Sequence, residues 1–229
     1  MEYPHNRPYT ADDLVRIITL LRDPVNGCPW DKVQTHTSIR MNFLEEAYEA
    51  VDALDLDDPV LMCEELGDVL MQVAFHTCME QETGRFTWEQ VCDGVCQKLI
   101  ERHPNIFGTQ PGYEGITDWD ALKNKEKGRR TLADDLESVP RAMPALMRAA
   151  KLQKRAARHG AALQGADAAA LADAAENLQT AQPASAQAEQ AVGELLFAAA
   201  NLARQAGVDP EQALQKANDA FCTAAGPVA

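Results

Sequence analysis

The chain has 229 residues and a formal charge of −14, from 21 Lys and Arg against 35 Asp and Glu. That length allows one large or two small domains with a real core. The acidic balance argues against a nucleic-acid partner, which calls for a basic patch or stripe, and no run of about 18 apolar residues is present to span a membrane.

The first ten residues are polar, hold two prolines and do not read as a signal peptide. The six cysteines have scattered spacings and read as reduced thiols, so a cytoplasmic location is expected. Cys92 and Cys96, four apart, read as packing because no paired Cys or His motif accompanies them.

Nearly every periodic segment is helical and strand-type alternation is absent, so an all-α fold is expected. Thr10 is placed as the N-cap of a first helix carrying Leu14, Ile17, Ile18 and Leu21. Asp23 to Thr35, with Pro24, Gly27 and Pro29, reads as a loop. A second helix is expected from about Thr37 to Leu54, with Phe43, Leu44, Ala47, Tyr48 and Val51 on its apolar face and Tyr48 in the core. Asp58-Pro59 caps a third helix that runs to about Thr83 and stops at Gly84. Thr87 to Gln90 resembles a capping box opening a fourth, which ends near Arg102.

Beyond a Gly- and Pro-containing loop at 104–117 comes a short basic segment with Trp119, Lys123, Lys125, Lys127 and Arg129. Pro140 and Pro144 introduce a further helix that ends at Gly160. The composition then turns rich in Ala and Gln, and two last helices are expected at about Ala186–Ala206 and Glu211–Ala224. These shifts place a boundary between about 130 and 140, giving domains 1–135 and 136–229.

The chemistry concentrates in Glu45-Glu46-x-x-Glu49 and Glu64-Glu65-x-x-Asp68. Residues three apart share a helix face, so Glu46 projects with Glu49, and Glu65 with Asp68 and Gln72. Apolar neighbours border both pairs, so these carboxylates cannot all turn to water. Burying uncompensated charge costs several kcal/mol, and no Lys or Arg falls between Arg40 and Arg85 to offset it. Four oxygen ligands without a His at the i+3 position suit Mg2+, or Mn2+, better than iron or zinc. Such an ion can polarise a phosphoryl oxygen, and Glu45 is placed to take a proton from water. The reaction this supports is hydrolysis of a phosphoanhydride. Against it stands the plain alternative of a solvated acidic helix face.

With these residues in view, the chain resembles the MazG family of nucleoside triphosphate pyrophosphohydrolases. Gly27-Cys28-Pro29-Trp30-Asp31-Lys32, the two acidic motifs, Arg102-His103-Pro104-Asn105-Ile106-Phe107-Gly108 and Pro144-Ala145-Leu146-Met147-Arg148-Ala149 carry the resemblance. It implies a helical bundle, Mg2+-dependent cleavage between the α and β phosphates, breadth in the base accepted, and a homodimer whose subunits help complete each other's sites. Glu46, Glu49, Glu65 and Asp68 take the metal-ligand positions. The C-terminal half departs from the two-domain pattern. Gly193-Glu194-Leu195-Leu196 echoes Gly67-Asp68-Val69-Leu70, but Gln190 and Ala191 stand where the first copy has Glu64 and Glu65, and no acidic partner helix is expected. The second repeat is therefore read as degenerate scaffold. The remaining functional alternatives are a pyrophosphatase narrowed to one deoxy or modified nucleotide and a regulatory module with a relic site.

Secondary candidates for substrate contact are Trp30, to stack on a base or to cap the bundle, Asp31, and Lys32, to offset phosphate charge or to sit in solvent. Arg102 either meets phosphate or serves its helix dipole. Lys123 and Lys127, i and i+4, either clamp a polyphosphate or form an ordinary solvated face.

Overall fold

The computed structural model describes residues 2–5, 7–108, 122, 124 and 126–226. All regular elements among them are helical. The chain divides into two compact units, Met1–Ile116 and Thr117–Ala229.

In the first unit α1 spans Ala11–Leu21, and its Thr10 cap closes a reciprocal box with Asp13. A short 3-10 turn at Asp31–Val33 leads to α2, Arg40–Asp55. The turn Leu56–Asp58 then reverses the chain. Asp57 takes a left-handed conformation there (φ 52°), which a short polar side chain tolerates better than most. Asp58 accepts from the amides of Val60 and Leu61, and Pro59 starts α3, Pro59–Glu82. A Thr87–Gln90 capping box opens α4, Trp88–Arg102.

The tight reversal lays α2 and α3 side by side, one of the two most extensive helix pairings in the protein. The core lies away from the acidic segments, at the far end of α3. There Ala74, Phe75, Cys78 and Met79 pack with Ile18 of α1, Ile39 and Trp88. Each large side chain buried in this cluster contributes roughly 2 kcal/mol. The segment before α2 is pinned to α3 by polar contacts. His36 Nε2 lies 2.5 Å from Glu80 Oε1, its Nδ1 lies 2.7 Å from His76 Nδ1, and Arg85 closes on the other Glu80 oxygen at 2.6 Å.

In the second unit α5 is Leu132–Glu137, α6 Ala145–Arg158, α7 Ala168–Thr180, α8 Ala186–Gln205 and α9 Pro210–Ala225. Asp135 of α5 is fully buried and holds Arg158 (3.0 Å), Arg155 (3.1 Å) and His159 (3.2 Å) of α6 and its cap. The Arg155 guanidinium also donates to the Asp135 carbonyl and to Ser138 Oγ. This network ties α5 to α6, and the division between the units falls upstream of both, at 116/117.

One expectation needs correction here. Tyr48 does not enter the core; it is 53% exposed, because α2 turns its Tyr48 and Val51 edge away from α3. Beyond the expected helices, the Ala- and Gln-rich stretch forms α7, capped by Asp167 accepting from Ala170 N, as the helix propensity of Ala favours. The C-terminal helix runs to Ala225, one residue past its expected end.

Candidate metal centre

On α2 and α3 the i, i+3 spacing brings carboxylates together across the helix pair. One oxygen each from Glu46, Glu49 and Glu65 lies within 4.8 Å of the others. Asp68 stands outside this triad but acts on it electrostatically. Glu46 is held above the ordinary glutamate range, first by its partial withdrawal from solvent and then by the charges of Asp68, Glu49 and Glu45, against a lowering hydrogen bond from Gln72. Glu65 is also raised, by partial withdrawal from solvent and then by Glu49, Glu64, Asp68 and Glu46. The carboxylates thus repel one another in a half-shielded groove. Glu46, Glu65 and Asp68 are half-buried, while Glu49 and Glu45 are exposed. Glu45 flanks the groove and adds to its negative field.

One contact escaped the sequence reading in its consequences. Gln72 donates from Nε2 to Glu46 Oε1 at 3.3 Å, and it is 7% exposed. Its Oε1 is buried without a hydrogen-bond partner. An acceptor left over beside a cluster of acceptors fits a site that takes up a hydrated cation. The signal was available in the spacing, since Gln72 continues the Glu65–Asp68 stripe.

The loop candidates are held elsewhere in the unit. Trp30 is 56% exposed and begins the 3-10 turn, its carbonyl accepting from Gln34 Nε2 at 2.9 Å. Asp31 and Lys32 are half-buried, and Lys32 Nζ reaches the Pro24 carbonyl at 3.5 Å. Among the described residues no hydrogen bond or ion pair joins these three to the four carboxylates. Gly27 fixes the loop's path, because a Cβ there would come within 2.4 Å of the carbonyls of Leu21 and Asp23. Arg102 closes α4 and is half-buried. Lys127 is exposed in a turn of the second unit, and Lys123 lies outside the described residues.

The second unit repeats the arrangement of a paired α7 and α8, the other extensive helix pairing. The expectation that no acidic helix accompanies the second motif is corrected. α7 carries Asp173 and Glu176, and Asp173 lines a cavity with Glu194 of α8. The position of Glu65 is nevertheless filled by Ala191, which is buried, and Glu194 is engaged by Gln190 at 2.8 Å. Among the described residues the only three-carboxylate cluster within ligand reach is that of Glu46, Glu49 and Glu65. No helix among them is long and apolar enough to cross a membrane.

Comparison with known proteins shows the family. The MazG nucleotide pyrophosphohydrolase domain matches residues 34–107, the span that holds both acidic motifs. The chain is 41% identical over 219 residues to the nucleoside triphosphate pyrophosphohydrolase of Escherichia coli K12, covering 92% of this chain and 83% of that one. It is 39% identical over 212 residues to the nucleoside triphosphate pyrophosphohydrolase/pyrophosphatase MazG of Thermotoga maritima, covering 92% and 82%. The nucleoside triphosphate pyrophosphohydrolase of Mycobacterium tuberculosis is 34% identical over 154 residues, 66% of this chain and 46% of that protein.

Proposed function

The chain belongs to the MazG family of nucleotide pyrophosphohydrolases, and from that premise we propose that it hydrolyses nucleoside triphosphates to monophosphate and pyrophosphate with Mg2+. The observation that carries the reading is the convergence of Glu46, Glu49 and Glu65 beside Asp68, with the partnerless Gln72 carbonyl next to them. Glu46, Glu49, Glu65 and Asp68 would hold the ion; Mn2+ suits the same oxygens. When bound, Mg2+ supplies Lewis acidity toward a phosphoryl oxygen and offsets the triphosphate charge.

The protein's own part is to position and to move a proton. Glu45, exposed at the groove's flank, takes a proton from a water as that water's oxygen bonds to the α-phosphorus. The α–β bridging bond breaks and pyrophosphate leaves with the bridging oxygen. Trp30, Asp31, Lys32, Arg102, Lys123 and Lys127 are assigned to the substrate on the strength of the sequence. Catalysis is assigned to the first unit and a scaffold role to the second, a degenerate repeat, with the division at 116/117 in place of the expected 1–135 and 136–229. A homodimer in the cytoplasm completes the reading. It is supported by exposed Tyr48, Val51 and Leu54 on α2 and Leu66 and Leu70 on α3, an apolar face a second copy would cover.

The test is a panel of ribo- and deoxynucleoside triphosphates incubated with enzyme and Mg2+ in 18O-labelled water. Monophosphate carrying the label, together with unlabelled pyrophosphate, is expected. Orthophosphate as the sole inorganic product, or label in pyrophosphate, contradicts α attack.

A further inference from the structure

Gln72 sits where a polar side chain needs a reason. It is 7% exposed, and leaving a buried carbonyl unpaired costs about 1–3 kcal/mol. Its amide is already spent on Glu46, 3.3 Å away. The stripe it shares on α3 holds Glu65 and Asp68, and across the groove stand Glu46 and Glu49. Ionised carboxylates only accept, so none of these four can donate to Oε1. A donor for Oε1 has to come from outside these four side chains. A hard dication brings it, because Mg2+ dehydrates reluctantly and keeps waters whose hydrogens point outward.

We propose that Gln72 is a positioning residue for the cation: its amide N–H holds the Glu46 carboxylate in ligating orientation, and its carbonyl accepts a hydrogen bond from a water on the bound ion. The inference rests on the metal reading above and adds to it an outer partner for the ion, of the kind that orients ligands in metal sites generally. The same view explains why the side chain is neutral. A fifth carboxylate would deepen the repulsion that already raises Glu46 and Glu65, whereas an amide offers both N–H donors and a carbonyl acceptor without charge.

The experiment is a Mn2+ titration of the nucleotide-free full chain by calorimetry, in wild type, Gln72→Met, Gln72→Leu and Glu49→Gln. Methionine matches the length of glutamine and removes both hydrogen bonds; leucine repeats the test should methionine disturb the fold. The expected result is a 10–100-fold weaker affinity in the folded Gln72 variants, the range seen when outer partners of metal ligands are lost, with unfolding midpoints no lower than wild type because a buried unpaired carbonyl is gone. Unchanged Mn2+ affinity in both Gln72 variants, while Glu49→Gln abolishes binding, overturns the inference and leaves the parent reading standing. A lower unfolding midpoint with unchanged affinity likewise overturns it, making Gln72 structural. Wild-type protein that binds no Mn2+ removes both.

Discussion

Arg22 and Glu82 form a two-pronged ion pair, Nε to Oε1 at 2.5 Å and Nη2 to Oε2 at 2.8 Å, joining the end of α1 to the end of α3. The third guanidinium nitrogen donates to the carbonyls of Asp31 (2.7 Å) and Gln34 (3.2 Å), and the plane lies 5.3 Å from the Phe75 ring centre. One nearly buried side chain thus fixes the loop that carries Trp30, Asp31 and Lys32. Arg22→Met should cost about 3 kcal/mol, the low end for breaking a buried pair, because the Glu82 side chain is 45% exposed and can turn to water. Urea unfolding measures this. Arg22→Lys should recover little, since an ammonium cannot reproduce the fork. If the loop meets substrate, KM for triphosphate rises in both variants while Mn2+ affinity stays.

The ligand assignment predicts opposite effects on activity and stability. Glu49→Gln and Asp68→Asn each remove a negative charge from a repulsive cluster, so the metal-free fold should be as stable as wild type or more so. Mg2+-dependent turnover should fall by roughly two orders of magnitude or more, the scale of losing one electrostatic contributor to a transition state. Steady-state rates across a Mg2+ series, alongside thermal melts, give both quantities. Activity unchanged in either variant would remove that residue from the site.

The pH dependence follows from Glu46 and Glu65, both raised by partial withdrawal from solvent and by neighbouring carboxylates. A raised pKa means that the folded protein binds the proton more tightly than the unfolded chain. This increment of stability is therefore present below the ordinary glutamate range and is lost as pH rises through the raised values. Protons also compete with the cation for the same oxygens. Metal-free protein should lose thermal stability on going from acid toward neutral pH in this window, added Mg2+ should restore it, and Mg2+ affinity should rise with pH over the same interval. Melts with and without Mg2+ across that interval check all three.

Much of this architecture is written locally. Thr10, Asp58-Pro59 and Thr87 announce their helices because capping is satisfied within three residues. Glu46, Glu49 and Glu65 needed only helix geometry and a short connection to be brought together. Contacts that depend on distant partners were not legible. Nothing near Arg22 in the chain points to Glu82, 60 residues on. Tyr48 misled because periodicity marks an apolar side without saying whether this chain covers it. The Asp173 and Glu176 pair was passed over because an Ala-rich stretch broken by Pro183 has helix propensity but little amphipathic contrast to fix its ends.

Asp135 offers a separate test of the second unit. Burial pushes its carboxyl up, but Asn124, Arg155, Arg158 and His159 outweigh that and hold it below the usual aspartate range. Asp135→Asn leaves two arginines facing a neutral amide and should destabilise the second unit by about 3 kcal/mol. Hydrogen exchange should localise the loss to α5 and α6, with the amides of α2 and α3 protected as before.

The account turns on whether Glu46, Glu49, Glu65 and Asp68 together grip a dication. Anomalous difference density from crystals of the full chain grown with Mn2+ measures this most directly. A peak bonded to oxygens of these four side chains is expected, with a bound water facing Gln72, and its loss in Glu49→Gln crystals grown the same way. Mn2+ bound only elsewhere, with the four carboxylates pointing apart into solvent, would contradict it.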